Sequence, residues 1–210
     1  MKKYIISCIV LLFVITLSAE TVSDIALPAP RQEGGMPLMQ ALKERKSVRE
    51  FSEKSLSPQV LSDLLWAAFG ISRPDGKRTA PSARNCQEIA IYAVLPEGAY
   101  LYDAKANVLT LVAAGDFRKK TGIQAFAATA PLDLVYVADF RRMKGSEKNK
   151  EFYAGTDVGF ISQNVYLFCA SEGMGTVVRG WLDRDACAKA LKLDKNSKVI
   201  LAQTVGFPKQ

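Results

Sequence analysis

The sequence Glu-Arg-Lys-Ser-Val-Arg-Glu-Phe at residues 44–51 places three cations and a hydroxyl within five positions. It follows a short amphipathic segment, residues 36–42, which predicts a helix. Arginine presents a planar fork that matches phosphate oxygens, lysine adds a point charge, and serine adds a short hydrogen-bond donor. A solvated basic patch is the alternative, because cations also favour the C-terminal end of a helix. The phosphate-binding residues predicted by this stretch are Arg45, Lys46, Ser47 and Arg49.

A second polar stretch, Arg-Thr-Ala-Pro-Ser-Ala-Arg-Asn-Cys-Gln at residues 78–87, separates an apolar predicted helix from an apolar predicted strand. Together the two stretches resemble the nitroreductase family of FMN flavoproteins. In that family an Arg-x-Ser motif holds the flavin phosphate, and a Pro-Ser-x-x-Asn-x-Gln loop lies against the ribityl chain and the isoalloxazine ring. The matching residues here are 45–47 and 81–87. Ala130-Pro131, Glu-Gly-Met-Gly at 172–175 and Val-Gly-Phe-Pro-Lys at 205–209 extend the resemblance over nearly the whole mature chain.

The resemblance implies an α+β, nitroreductase-like fold, in which helices flank a central, mainly antiparallel sheet. It also implies FMN as the cofactor, a homodimer with flavin at its interface, and chemistry carried by the flavin. By resemblance Arg45, Ser47 and Arg49 hold the phosphate, Lys209 reaches it from the last strand, and Lys46 lies near the pyrimidine end of the ring. The remaining implied contacts are Pro81, Ser82, Asn85 and Gln87 of the loop and the backbone of Thr176, Val177 and Val178.

Glycine motifs for a pyrophosphate are missing from the sequence. Gly173-Met174-Gly175 is not followed by a third glycine at the dinucleotide-fingerprint spacing, where Val178 stands, and there is no Walker motif. A single phosphate cluster therefore favours FMN over FAD. Arg84 and Cys86 are bulky or reactive residues for the second motif, so they leave the shape of a substrate pocket open.

The N-terminus predicts a secretory signal at residues 1–19, since Lys2-Lys3 precedes an apolar run and Ser18-Ala19 follows it. The run is short for a membrane span, and a retained anchor is the alternative. Residues 20–35 predict an extended leader, and residues 36–210 the FMN-binding domain. We therefore expect an exported protein, periplasmic or secreted, without membrane association once the signal is removed.

Composition excludes several classes of protein. The formal charge is +7, and removal of residues 1–19 leaves 26 basic against 21 acidic residues, or +5, scattered without a nucleic-acid motif. The chain has no histidine, which removes Ser-His-Asp and Cys-His catalysis and nearly all histidine-based metal sites. Cys86, Cys169 and Cys187 remain in the mature chain, so one disulfide is an open alternative to three free thiols.

Hydrophobic patterning predicts the order of helices and strands. Ser57-Pro58 predicts the start of a helix, and strands are predicted at residues 88–95, 99–102 and 108–112 as an antiparallel meander. A helix is predicted at residues 116–128, a strand at 132–138 and a mobile surface connection at 141–150. A strand at 176–179, a helix capped by Asp183 and a strand at 198–205 complete the order.

Residues 157–171 predict a long helix that is apolar almost all round, so it must be covered on more than one side. In a domain of this size one side is free for a second subunit, although burial within one chain explains the pattern equally well. This pattern supports the homodimer that the resemblance implies.

The function predicted from these observations is an FMN-dependent oxidoreductase. Electrons would pass through flavin N5 from a small-molecule donor to a nitroaromatic, a quinone or a similar small acceptor. A flavin-binding redox carrier without turnover is one alternative, and a related dehydrogenase acting on a peptide or other small organic substrate is another. A basic surface module without a cofactor is the third. Export conflicts with NAD(P)H as the donor, so the donor and the direction of the reaction stay open.

Overall fold

A seven-stranded antiparallel sheet runs through the computed structural model, which describes residues 22–209. The strands are β1 Ile25–Ala26, β2 Ile89–Val94, β3 Gly98–Asp103, β4 Val108–Ala114, β5 Leu132–Asp139, β6 Gly175–Arg179 and β7 Ser197–Gly206. Their spatial order is β1-β4-β3-β2-β5-β7-β6. Strands β2, β3 and β4 form the predicted meander, which is confirmed.

Helices cover both faces of this sheet, and strand β5 shows why. Its side chains alternate, so Leu134 and Tyr136 join one core cluster while Val135 and Val137 join the other. The helices are α1 Leu38–Glu44, α2 Pro58–Phe69, α3 Glu147–Ser171 and α4 Arg184–Ala190. Helices α2 and α3 pack on the first cluster and α4 on the second. The predicted α+β architecture is therefore confirmed.

Two helix starts follow the predicted capping chemistry. The Ser57 side chain accepts a hydrogen bond from the backbone N–H of Val60, and Pro58 occupies the first turn. The Asp183 side chain likewise accepts from the N–H of Ala186. Local sequence is sufficient here because a cap uses groups only three residues away.

The predicted mobile connection at residues 141–150 is wrong over its second half, because α3 begins ten residues earlier than expected, at Glu147. Ser146 caps this first turn, and Lys198 of β7 forms ion pairs with Glu147 and Glu151. The polar start of α3 has no hydrophobic pattern of its own. It was not predicted because the residue that contacts it lies on a strand fifty residues away.

The helix predicted at residues 116–128 is also wrong. The structure has two short 3₁₀ turns, Arg118–Lys120 and Ala125–Ala128, and an irregular segment between them. In that segment Gly122 lies against the guanidinium of Arg179, where an added Cβ would fall 1.6 Å from Nη1. The chain bends here because it surrounds a buried cation.

The predicted leader packs onto the domain. Ile25–Ala26 pairs with β4, and Arg31 forms an ion pair with the buried Asp63 of α2 at 2.6 Å.

The predicted signal peptide lies outside the described residues. Between residues 22 and 209, no helix is both long and apolar enough to cross a membrane. In that same part of the chain the thiols of Cys86, Cys169 and Cys187 are free.

Candidate functional site

The first motif runs beside the edge strand β6 and the C-terminal residues, and its backbone forms hydrogen bonds with both. The Val48 N–H donates to the carbonyl of Thr176 at 3.0 Å, and Ser52 N–H donates to Phe207 at 2.9 Å. The N–H of Lys209 donates to the carbonyl of Glu50 at 3.1 Å. The structure thus brings together three predicted parts of the site that are distant in sequence: residues 45–49, strand β6 and Lys209.

A glycine in β6 allows the first motif to approach this strand closely. An added Cβ at Gly175 would approach the Cβ of Val48 to 2.8 Å, closer than two such carbons pack. Any larger residue would push the first motif away from β6. Gly175, which sequence analysis noted only as part of the Glu-Gly-Met-Gly stretch at residues 172–175, therefore has a specific steric role.

The cations of the first motif have no acidic partners. Within residues 22–209, none of Arg45, Lys46 and Arg49 forms an ion pair with a carboxylate. Lys46, Ser47 and Arg49 are exposed, and Arg45 is half-buried. Their N–H groups can therefore donate to an anion, and no carboxylate in ion-pair contact within that part of the chain neutralises their charge.

Tyr166 of α3 is the central contact of this region, and sequence analysis did not single it out. Its hydroxyl lies 2.9 Å from Ser47 Oγ and accepts a hydrogen bond from the Val178 N–H at 3.1 Å. The guanidinium carbon of Arg45 lies 5.3 Å from the centroid of its ring. No local signal marks this residue, because it stands in an apolar helical pattern typical of core.

Strand β6 can offer only its backbone to a ligand over most of its length. The hydroxyl of Thr176 donates to the carbonyl of Thr204 at 2.7 Å and accepts from Gln203 at 3.0 Å, and Val177 is buried. Val178 is half-buried and turns its N–H towards Tyr166. The implied backbone role of residues 176–178 stays a prediction, and the Thr176 carbonyl and the Val178 N–H already have partners within the chain.

The second motif forms a tight loop with an internal hydrogen-bond network. Ser82 Oγ accepts from the Gln87 N–H at 2.9 Å. The Gln87 amide accepts from Arg78 at 3.1 Å and donates to Gly76 and to Asn85 Oδ1. Gln87 is therefore used to shape the loop, while Asn85 and Pro81 are exposed.

The backbone of this loop adopts a strained geometry. Arg84, Asn85 and Gln87 have φ of 54°, 52° and 46°, in the left-handed region that residues other than glycine seldom occupy. The carboxylate of Asp157 on α3 fixes the start of the loop by accepting from the Ala83 N–H at 2.8 Å. Strain held in place by a buried carboxylate is typical of a functional loop.

The two motifs contact helix α3 at different positions. The loop is attached to α3 at Asp157 and the cation cluster at Tyr166, nine residues further along the same helix. Nine residues correspond to about two and a half turns and about 13 Å of rise, so the two side chains leave opposite sides of α3.

A buried acidic pair lies behind the loop. Glu88 and Asp157 are each about 1% exposed, and neither carboxyl oxygen of Glu88 has a hydrogen-bond partner within residues 22–209. Burial, together with the neighbouring Asp157 carboxyl, raises the pKa of Glu88 to about 7, while Arg142 opposes this change. Burial next to a second carboxyl thus favours the protonated, neutral form of Glu88.

A buried ion pair closes β6 at its far end. Arg179 Nη2 donates to Asp133 Oδ1 at 2.7 Å, and the hydroxyls of Thr121 and Thr204 donate to the same carboxylate at 2.7 and 2.5 Å. Burial raises the pKa of Asp133 to about 6, although Arg179 and both hydroxyls act in the opposite direction. This pair anchors the strand whose backbone faces the cation cluster.

Comparison with known proteins places the chain in a family. The sequence profile described as the Nitroreductase family matches residues 42–207. The chain belongs to the nitroreductase family. A relative from Methanocaldococcus jannaschii named as a nitroreductase is 30% identical over 167 residues, covering 74% of this chain and 84% of the relative. Family membership supports a general redox role.

Solved structures agree with this assignment. A nitroreductase-family crystal structure from Ralstonia eutropha JMP134 is 43% identical, with a TM-score of 0.86 over 92% of this chain and 93% of its own. The NADPH:FMN oxidoreductase of Vibrio harveyi, solved with NAD+, is 20% identical, with a TM-score of 0.62 over 82% of this chain and 69% of its own. The second likeness concerns the fold alone. The predicted nitroreductase-like fold is thus confirmed.

Proposed function

We propose that this member of the nitroreductase family is an FMN-dependent oxidoreductase that passes electrons through flavin N5 to a nitroaromatic, a quinone or a similar small acceptor. The observation that carries the proposal is the cation cluster at residues 45–49, which forms no ion pair with an acid within residues 22–209 and lies beside the backbone of Lys209 and of β6. Its donor set fits a phosphate monoester, because every polar side chain in it can donate to phosphate oxygens.

The residues have distinct proposed roles in this site. Arg45, Ser47, Arg49 and Lys209 bind the phosphate, and Lys46 supplies positive charge close to the ring. Bound flavin supplies the redox chemistry. Strand β6 orients the ring through its backbone, and this backbone is rigid because Thr176 and Arg179 are hydrogen-bonded in the interior.

A homodimer completes the proposed site. The loop at residues 81–87 and the cation cluster lie on opposite sides of α3, so a second copy would bring its own loop to the cluster. Large apolar side chains support such contacts, since Leu38 and Met39 of α1 are 62% and 76% exposed and Phe160 of α3 is 44% exposed. Light scattering of the purified protein should give twice the mass of the chain, and a flavin-bound monomer would contradict the dimer.

The experiment that tests the cofactor is purification without added flavin. We expect an absorption spectrum of oxidised flavin and, after denaturation, a released ligand with the mass of FMN rather than FAD. A colourless protein that does not bind added FMN would overturn the proposal. Steady-state turnover with NADH or NADPH and a nitroaromatic or quinone then separates an enzyme from a redox carrier.

We also propose that the protein is exported, which the signal-like residues 1–19 support. Expression of the full chain with its own leader should yield a mature protein that starts close to Glu20. Intact mass measures this directly, and a full-length mass in the cytoplasmic fraction would contradict export.

A further inference from the structure

The Tyr166 hydroxyl makes one hydrogen bond of fixed direction, from the Val178 N–H, and one with Ser47 that either oxygen could donate. The chemistry of the two hydroxyls favours Tyr166 as the donor of the second bond. The Val178 N–H donates to the phenolic oxygen, so this oxygen is already an acceptor. Its own proton needs an acceptor, and Ser47 Oγ at 2.9 Å is the one oxygen that the structure of residues 22–209 places in hydrogen bond with it. A phenol is also more acidic than an aliphatic hydroxyl, so it is the better donor of the two.

This direction determines what Ser47 can do. When Ser47 Oγ accepts the proton of Tyr166, the Ser47 O–H is not used in that hydrogen bond. It can then donate to another group. Ser47 is exposed, so the free donor faces solvent beside Arg45. The chain of hydrogen bonds from the Val178 N–H through Tyr166 to Ser47 therefore leaves the Ser47 O–H as a free donor. A free donor beside a guanidinium suits an anion.

The same side chain connects parts of the site that come from two separate stretches. Its hydroxyl contacts Ser47 and Val178, and its ring lies beneath Arg45. Ser47 and Arg45 belong to the first motif, whereas Val178 belongs to β6. Loss of the hydroxyl alone would leave the ring contact with Arg45 in place and would remove only the ordered hydrogen bonds.

We propose that Tyr166 is a positioning residue, which holds Ser47 as a hydrogen-bond donor to the phosphate of FMN. The inference rests on the proposed function, since it concerns the same cofactor. Tyr166 acts through Ser47 and touches no phosphate itself. A purely structural Tyr166 would join α3 to β6 and affect every flavin equally, whereas a phosphate-directing Tyr166 discriminates FMN from riboflavin, which lacks the phosphate.

The test is a double-mutant cycle of binding to the apo protein, with FMN and riboflavin as probes. Flavin fluorescence measures each dissociation constant. The variants are Tyr166→Phe, Ser47→Ala and the double variant. We expect Tyr166→Phe to raise the Kd for FMN roughly tenfold, as expected for one hydrogen bond to a charged group. The Kd for riboflavin should stay within about twofold, and the double variant should bind FMN no more weakly than Ser47→Ala alone.

Tyr92→Phe is the matched control. Tyr92 is half-buried like Tyr166, makes no hydrogen bond through its hydroxyl within residues 22–209, and packs against the core cluster on the α4 side of the sheet. This variant should bind both flavins as the wild type does. Circular dichroism and urea unfolding of each apo variant show that a change in Kd is not a loss of folded protein.

Three results would overturn the inference. One is an unchanged Kd for FMN in Tyr166→Phe, and another is an equal loss of FMN and riboflavin binding. The third is strict additivity of Tyr166→Phe and Ser47→Ala, which would mean that the two hydroxyls act independently. A wild-type protein that binds neither flavin would overturn the proposed function together with the inference, so the two failures are distinguishable.

Discussion

Two groups of charge at opposite ends of β6 follow opposite rules. At one end, Arg179 and Asp133 are 3% and 0% exposed, and their charges meet each other and two threonine hydroxyls. At the other end, Arg45, Lys46 and Arg49 reach solvent with no carboxylate in ion-pair contact among residues 22–209. The first group is paired inside the protein, whereas the second is left to solvent.

The difference shows how charge indicates function. A buried cation needs an anion and hydrogen bonds from the protein, because transfer out of water is costly. An exposed cation needs neither, so a cluster without acids is tolerated and stays free to bind an external anion. Strand β6 connects both groups: the buried pair makes the strand rigid, and the cation cluster lies against its open edge.

The largest expected effect is on the buried pair. Asp133→Ala should lower the free energy of unfolding by about 3–5 kcal/mol, because Arg179 would keep a buried charge without its partner. Urea unfolding measures this loss. Asp116→Ala, which breaks the more exposed pair with Arg118, should cost about 0–1 kcal/mol.

A double variant sharpens this first prediction. Asp133→Ala combined with Arg179→Met removes both charges and should recover much of the lost stability. If Asp133→Ala alone costs less than about 1 kcal/mol, the two ends of β6 would not differ in the way described above.

The second prediction concerns the cation cluster. Arg45→Ala should weaken FMN binding by about 1.5–3 kcal/mol, the usual contribution of a hydrogen bond to a charged group, and the protein should purify largely without flavin. The free energy of unfolding of the apo protein should change little. Fluorescence titration measures the affinity, with Arg141→Ala as a control for loss of an exposed arginine elsewhere. Stoichiometric flavin retained on dilution would remove Arg45 from the phosphate site.

A third, smaller effect is expected at Lys46. Its ammonium is exposed within the cation cluster and by resemblance lies near the pyrimidine end of the ring, where reduced flavin is negatively charged. Lys46→Ala should lower the flavin midpoint potential by tens of millivolts, since about 30 mV in a two-electron couple corresponds to 1.4 kcal/mol. Potentiometric titration measures it. An unchanged potential would indicate a solvated lysine, and loss of FMN would move Lys46 into the phosphate site.

The smallest effect concerns Glu88, a buried acid that resolves its charge by protonation rather than by pairing. Its pKa in the folded protein, about 7, lies above the ordinary value of 4.5. The folded state therefore binds this proton more tightly, so its stabilising contribution is complete below about pH 4.5 and is lost as pH rises towards 7. Glu88→Gln should flatten this decline and gain about 1 kcal/mol at pH 8, allowing for solvent screening.

Urea unfolding at several pH values tests the Glu88 prediction. Asp133 also has a raised pKa and contributes a slope in the same region, so only the difference between wild type and variant is informative. Glu53→Gln, at an exposed position, is the control. Parallel pH profiles for wild type and Glu88→Gln would contradict the assignment.

Prediction from sequence succeeded where the cause of a structure lies within a few residues. The caps at Ser57 and Asp183 and the alternating strands of the meander are of this kind. It failed at residues 116–128, where the backbone bends around Arg179, a residue fifty positions away. It failed again at the start of α3, where Lys198 stabilises two glutamates that carry no hydrophobic pattern.

The candidate site divides in the same way. The sequence by itself determined the composition of the cation cluster and of the loop at residues 81–87, because both are short stretches with recognisable chemistry. Only the tertiary structure decided that residues 45–49, β6 and Lys209 meet, that Tyr166 joins them, and that the loop lies on the other side of α3. These facts depend on strand pairing and on the rotation of side chains around a helix, and both arise from contacts between residues far apart in the chain.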